Sequence, residues 1–380
     1  MFPRFHTNLR GLTSGLLDIG HEVEMYSAYK ALNEDYSRTM PVVIASKYNI
    51  RFKGIPLINV SYLRRQLRSK NYDFLVVRAE RNLFTVQVFL ATLFLGKKII
   101  IYDQYPLVVK NLKLKIFVYV RDFLFKPILV ITPVFENALE NEYNRVSSQE
   151  IFTDYESRIK EQLCQLEINR IWIPFSVNVS ASTNLKSPSQ RSIDVFISSK
   201  AENRKNVLET LHALAIASSQ LNKRIVVEAA IITKKGKRSA KYIAALEKCV
   251  IDFSYSLDLR LNYNLNSEQM RSKYLDSKFM SLVSDNEPAS FSNIESTAHG
   301  CINILSFKNG SISQSIRNHD FSLFTSITEL PNLFIQLFSS DKFLNSDTDV
   351  FAKLFSEIFN DKKIANHFFL NLMVKKGKNF

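Results

Sequence analysis

Short runs of β-branched and aliphatic residues alternate with helical patterns along most of the 380 residues. The apolar runs predict strands at Phe74–Val77, Lys98–Tyr102, Ile128–Ile131, Asp194–Ile197, Ile225–Ile232, Leu257–Leu261, Phe279–Val283, Ile302–Leu305 and Phe321–Phe324. These runs are continuous rather than alternating, the pattern of strands covered on both faces of a parallel sheet. Between them, Val207, Leu208, Leu211, Leu214 and Ala215 form one stripe at helical spacing, predicting a helix over Val207–Ser219. Further helices are expected over 266–276, 311–317 and 327–337, the first opened by Asn266 with Gln269 at the capping-box position. Strand and helix in repeated alternation predict doubly wound α/β layers.

The length suits two such domains. A polar, serine-rich stretch without helical period, 176–192, reads as the linker between an N-terminal domain over 1–175 and a C-terminal one over 193–345. Residues 346–380 read as two helices, with Phe351, Leu354, Phe355, Ile358 and Phe359 on one face, ending in a basic tail. Composition adds little to this picture: 46% hydrophobic and 23% charged residues are globular values. Three cysteines far apart in the chain exclude a disulfide framework and a clustered zinc site, and a reducing compartment follows as the default.

Charge changes the picture more. The formal net charge is +14, and Arg51 to Lys126 alone holds fifteen basic residues against four acidic ones. Such a stretch attracts an anionic partner: nucleic acid, anionic lipid or a phosphorylated substrate. The uncharged run from Asn82 to Gly96 is fifteen residues, short of the ~20 a spanning helix needs. It reads as a buried or interfacial helix, and no signal peptide is expected.

Chemistry concentrates in the loop after Phe279–Val283. Glu287 lies in that loop, and Glu295 follows eight positions later in the first turn of the next helix. The small residues Ala289, Ser290 and Ser292 between them leave room for an anion at the helix N-terminus, with carboxylates beside it for neutral hydroxyls. The same residues fit a plainer reading, in which Ser292 and Glu295 form an S-x-x-E capping box.

This stretch resembles the E-x7-E signature of retaining glycosyltransferases of family 4: Glu287, Pro288, Phe291, Glu295, Ala298 and Gly300 stand in the family's order and spacing. Ser290 replaces its usual glycine and Ser296 its usual alanine. After the strand Asp194–Ile197, Lys200 and Lys205 match two basic donor-diphosphate contacts five apart, with lysine for arginine at the first and Arg204 adjacent to the second. Ile171–Asn178 resembles the family's interdomain element. Residues 5–25, with Gly20-His21-Glu22-Val23, resemble its first helix and second strand, without the apolar strand and glycine-rich loop that precede them in the family. A doubly wound sheet is organised around that strand, so either translation starts upstream of Met1 or the domain lacks it.

The resemblance implies a GT-B architecture: two facing Rossmann-like domains with a cleft between them, the final helices over 346–380 folding back on the first. It implies retaining hexosyl transfer from a nucleotide-diphosphate donor to a lipid-linked glycan acceptor, in surface polysaccharide assembly. Glu287, Lys205 and Lys200 are the implied catalytic residues; Glu295, Ser290, Phe291, Ser292 and Arg204 hold the donor; Asn8, Arg10 and Asp103 lie on the acceptor side. No cofactor or metal is expected. The basic stretch from Arg51 to Lys126 would lie on an anionic membrane, placing the chain in the cytoplasm on the inner face of that membrane. Two other readings stay open: a basic nucleic-acid-binding protein, for which no recognition motif is visible, and a degenerate transferase-like interaction protein.

Overall fold

The computed structural model describes residues 7–27, 42–44, 51–52, 55–78, 83–102, 120–121, 123–132, 169–173, 185–233, 236–285, 290–306, 322–340, 343 and 347–377. The chain divides into two compact units: it leaves the first after Ser176 and returns to it at Asp361.

In the first unit, α1 (Thr7–Asp18) leads to β1 (Met25–Ser27), which pairs in parallel with β2 (Val42–Ile44). A small antiparallel pair follows, β3 (Arg51–Phe52) with β4 (Ile55–Pro56). Helix α2 (Val60–Ser69) starts where the Asn59 side chain accepts the Tyr62 N–H at 2.8 Å. Its Leu63 and Leu67, one turn apart, are buried, whereas Arg65 and Arg68 face outward. Strand β5 (Phe74–Arg78), helix α3 (Leu83–Thr92), and strands β6 (Lys98–Tyr102), β7 (Leu129–Thr132) and β8 (Asn169–Trp172) complete the series. β5 to β8 form a parallel sheet in sequence order. Its core is the apolar run expected from the sequence: Ile99, Ile101, Val77 and Val130 against Phe125 and Phe89.

Residues 1–6, ahead of α1, lie outside the described residues; among the described residues the β1–β2 pair is hydrogen-bonded to neither edge of the four-stranded sheet. Side chains nonetheless connect the two parts. Tyr26 of β1 shares a cluster with Leu75 of β5, and its hydroxyl lies 2.7 Å from that of Tyr72. Glu24 accepts from both tyrosines and from Lys70. These donors, against the opposing effect of burial, hold its carboxyl below the usual range.

The second unit is a six-stranded, all-parallel sheet in the order β11-β10-β9-β12-β13-β14. The strands are β9 (Ile193–Lys200), β10 (Ile225–Ile232), β11 (Leu257–Tyr263), β12 (Ser277–Leu282), β13 (Ile302–Ser306) and β14 (Ser322–Thr325). Val195 and Ile197 of β9 face the main core with Val227, Ala229 and Ile231 of β10, under α4 (Val207–Leu221), α5 (Lys237–Asp252) and α8 (Leu330–Ser339). The intervening Phe196 faces the opposite side, where its ring meets Tyr274 edge-on at 5.5 Å. That side carries α6 (Ser267–Leu275) and α7 (Phe291–Ala298). Burial on both faces is the physical reason the strands read as unbroken apolar runs. α6 begins with the expected capping box between Asn266 and Gln269. α5 is an element the sequence reading omits, although Tyr242, Leu246 and Cys249 already stand at helical spacing and are buried. The helix expected over 311–317 lies outside the described residues.

The two terminal helices divide between the units. α9 (Thr348–Ile358) lies in the second, against α7; α10 (Asp361–Gly377) lies in the first, against α1. The α1–α10 contact is close at Gly15, where a Cβ would run into the Asp361 carbonyl. Part of the segment expected as linker is built into the second unit. After a 3₁₀ turn at Pro188–Gln190, the buried Arg191 guanidinium donates to the Ser277 carbonyl at 2.8 Å and the Lys186 carbonyl at 3.1 Å. Burial lowers the Arg191 pKa, and burial pushes the adjacent Cys301 thiol up to about 12, so Cys301 stays a neutral packing group.

Candidate functional site

Two connections of the second unit carry the residues singled out by sequence. β9 ends at Lys200; Asn203–Lys205 then make a 3₁₀ turn, and Asn206, in the left-handed region at φ 49° and ψ 36°, leads into α4. Within the turn the two basic neighbours have different environments. Arg204 reaches outward and pairs with Glu202 at 3.0 Å, a surface contact of ~0–1 kcal/mol. Lys205 is only 7% exposed. Lys200 is half-buried at the strand end, its carbonyl accepting from the Glu202 N–H at 2.8 Å.

The second connection leaves β12. Val283 and Ser284 are buried, Asp285 follows, and 286–289, including Glu287, lie outside the described residues. Ser290 is the N-cap of α7, extended at φ −127° and ψ 121°, with no capping bond from its side chain. Ser292 therefore sits inside the helix, and the capping box with Glu295 does not form. The reason is local: α7 opens at Phe291, so Ser292 lacks the extended backbone a cap needs. The Ser292 hydroxyl instead lies 3.4 Å from that of Ser198 on β9, and the Glu295 carboxylate accepts from the Tyr274 hydroxyl at 3.4 Å. Burial and the nearby Glu295 charge push the Tyr274 phenol well above its usual range, so it stays a donor to that carboxylate. His299 ends α7 with Nδ1 2.7 Å from the Glu295 carbonyl; burial lowers its pKa and favours the neutral ring.

β9 and β12 are adjacent and parallel, so both connections emerge at the same end of the sheet. From β9 the chain crosses to β10 on one side, and from β12 to β13 on the other. This is the topological switch point, where doubly wound sheets open a crevice outside the strands' carboxyl ends. The connections are also bonded to each other. The Asp285 N–H donates to the Arg204 carbonyl at 3.0 Å, and the Asn206 side-chain amide donates to the Val283 carbonyl at 3.1 Å and to the Asp285 carboxylate at 2.9 Å.

The structure thus gathers Lys200, Arg204, Lys205, Ser290, Phe291, Ser292 and Glu295 onto two joined loops and one helix start. Asp103 lies outside the described residues, as do the side chains of Asn8 and Arg10 on α1. Sequence reasoning missed Asn206, Asp285 and Tyr274. It also missed Ser284 and Asn293, whose side-chain polar atoms are buried without a partner among the described residues.

No family model matches this sequence, and no curated protein matches it. The fold does find counterparts. A glycosyltransferase from Rickettsia africae aligns with TM-score 0.66 at 13% identity, over 99% of this chain and 96% of that one. HepE from Anabaena in complex with UDP aligns with TM-score 0.61 at 12% identity, over 89% and 87%. Sucrose-phosphate synthase from Thermosynechococcus elongatus aligns with TM-score 0.62 at 12% identity, over 96% and 92%. At such identities the likeness is one of fold: the chain has a GT-B-type α/β fold with two parallel-sheet units.

Proposed function

We propose that this chain is a retaining glycosyltransferase of the family 4 type, moving a sugar from a nucleotide diphosphate to a lipid-linked glycan acceptor in surface polysaccharide assembly. The observation that carries the reading is the pair of joined loops at the switch point, with the buried Lys205 on one and the N-terminus of α7 on the other. A buried ammonium and a helix start are what a diphosphate needs. HepE, of like fold, has been solved with UDP and with UDP-glucose, which supports a donor of that class.

In this reading the bond from the anomeric carbon to the diphosphate oxygen breaks first, and negative charge grows on the leaving diphosphate. Lys200, Lys205 and the α7 terminus stabilise that charge without moving, the principal electrostatic lever of the site. Glu295, steadied by Tyr274, takes the ribose hydroxyls; Glu287 orients the transferred sugar. The acceptor hydroxyl attacks from the face the diphosphate leaves, passing its proton to a diphosphate oxygen. A calorimetric panel of UDP, GDP and ADP tests the donor site. Micromolar binding of UDP, weakened at least about tenfold by Lys205→Ala, is expected, since loss of a charge-assisted contact is worth ~1.5–3 kcal/mol. Binding of none of the three by the wild-type protein would overturn the reading.

The acceptor side rests on the surface of the first unit. Two basic residues expected there have other roles: Arg121 is buried, and Lys70 pairs with Glu24. Arg65, Arg68, Lys98 and Lys126 are exposed. Val86 and Leu90, one turn apart on α3, are exposed, and Phe94 just beyond is 84% exposed. Val120, Phe123 and Leu124 are exposed too, and the Phe89–Phe125 ring contact at 4.8 Å draws the two segments together. Among the described residues no helix is long and apolar enough to cross a membrane. An apolar fringe with basic residues around it suits an anionic lipid surface. Co-sedimentation with vesicles is expected to require anionic lipid, to weaken with salt, and to fall by more than half in a Leu90→Ser, Phe94→Ser double variant. Equal sedimentation with neutral vesicles would remove this part of the proposal.

A further inference from the structure

We propose that Asn206 is a positioning residue for the donor site: its side chain locks the Lys205 turn to the β12 loop and so sets where Lys205 stands relative to the N-terminus of α7. The inference rests on the donor reading above and names a residue that reading does not use.

Asn206 occupies backbone space that glycine enters without strain and other residues rarely enter. It is also the N-cap of α4, where an asparagine side chain ordinarily accepts a bond from the first turn. It makes no such bond here. Asn222, at nearly the same φ and ψ, is an exposed helix terminator, the usual place for a left-handed asparagine. Asn206 is buried, and its amide reaches across to another loop. Both partners there, the Val283 carbonyl and the Asp285 carboxylate, are acceptors, and the two N–H bonds of one amide nitrogen serve both. With the Asp285 N–H on the Arg204 carbonyl, three bonds tie 204–206 to 283–285. The residue on one side of this tie is Lys205; five residues beyond the other is the α7 cap. Loosening it frees the turn that carries Lys205 to shift against the end of β12, and small misplacements of charged groups are expensive in rate.

Three variants separate positioning from folding. Asn206→Gly keeps the left-handed backbone and removes the amide. Asn206→Asp keeps the shape, turns the donor into an acceptor and faces Asp285 with a like charge. Asn206→Asp with Asp285→Asn restores one donor–acceptor pair in reverse. Asn206→Gly is expected to raise the UDP dissociation constant and the donor KM about tenfold with the acceptor KM unchanged, and Asn206→Asp to do so more severely. The double variant is expected to recover at least about fivefold over Asn206→Asp. Hydrogen exchange at the Asp285 amide is expected to quicken in Asn206→Gly whether or not nucleotide is present. Unchanged exchange, wild-type UDP affinity in Asn206→Gly, or donor and acceptor KM rising together would overturn the proposal. A wild-type protein that binds no nucleotide overturns the donor reading and the role with it, while the exchange measurement still decides whether the tie exists.

Discussion

Lys205→Ala is expected to lower the rate of sugar transfer by about a hundredfold to a thousandfold, the loss seen when one preorganised donor to a developing anion is removed. The size follows from placement. Lys205 is 7% exposed, whereas its neighbour Arg204 is bound to Glu202 at the surface. A charge shielded from water acts on the leaving diphosphate through a lower effective dielectric than an exposed one, so exposed Arg204 cannot replace it. Lys205→Arg keeps the charge but puts a larger planar fork at a buried position, and is expected to recover only part of the rate. Arg204→Ala is expected to change the rate by less than about threefold. Initial rates with saturating acceptor, alongside thermal melting of each variant, are the measurement. A Lys205→Ala enzyme within threefold of wild type, equally folded, would remove Lys205 from the chemistry.

Gly300→Ala is expected to destabilise the second unit by about 2–5 kcal/mol. α7 ends in a Schellman motif: the Cys301 N–H donates to the Ser296 carbonyl at 2.9 Å and the Gly300 N–H to the Thr297 carbonyl at 2.8 Å, with Gly300 at φ 79°. A side chain in that backbone region costs about 1–2 kcal/mol by itself. Space adds to the penalty, because a Cβ would lie 2.5 Å from the Arg191 guanidinium and 2.9 Å from Leu185. Arg191 cannot swing aside freely, since it holds the Ser277 and Lys186 carbonyls. Overpacking of this kind typically costs another ~1–3 kcal/mol. The unfolding midpoint is expected to drop by roughly 5–12 °C for a unit of this size. A midpoint within a degree of wild type would show that this helix end is less constrained than its geometry indicates.

The strands were legible because their burial is two-sided. The run Ile225–Ile232 stands in the structure with the bounds its apolar residues predict. The run at 194–197 extends in the structure from Ile193 to Lys200, since Ser198, Ser199 and Lys200 pair with Ala230, Ile231 and Ile232 of β10 whatever their side chains. The plainer alternative, a capping box from Ser292 to Glu295, is not formed, because α7 opens at Phe291 with Ser290 as its cap. The terminal segment carried one apolar face, Phe351 to Phe359, and nothing in that signal says which unit each of its helices joins.

The sequence by itself determined the parallel α/β class, most of the strands, the cap at Asn266, and the two loops in which chemistry concentrates, because each is written in residues a few positions apart. Only the tertiary structure decided that Lys205 is buried and Arg204 is not, that Arg121 is a core residue, and that Asn206 grips Asp285 seventy-nine positions away. Those outcomes depend on which segments the folded chain brings side by side, and no local periodicity encodes that.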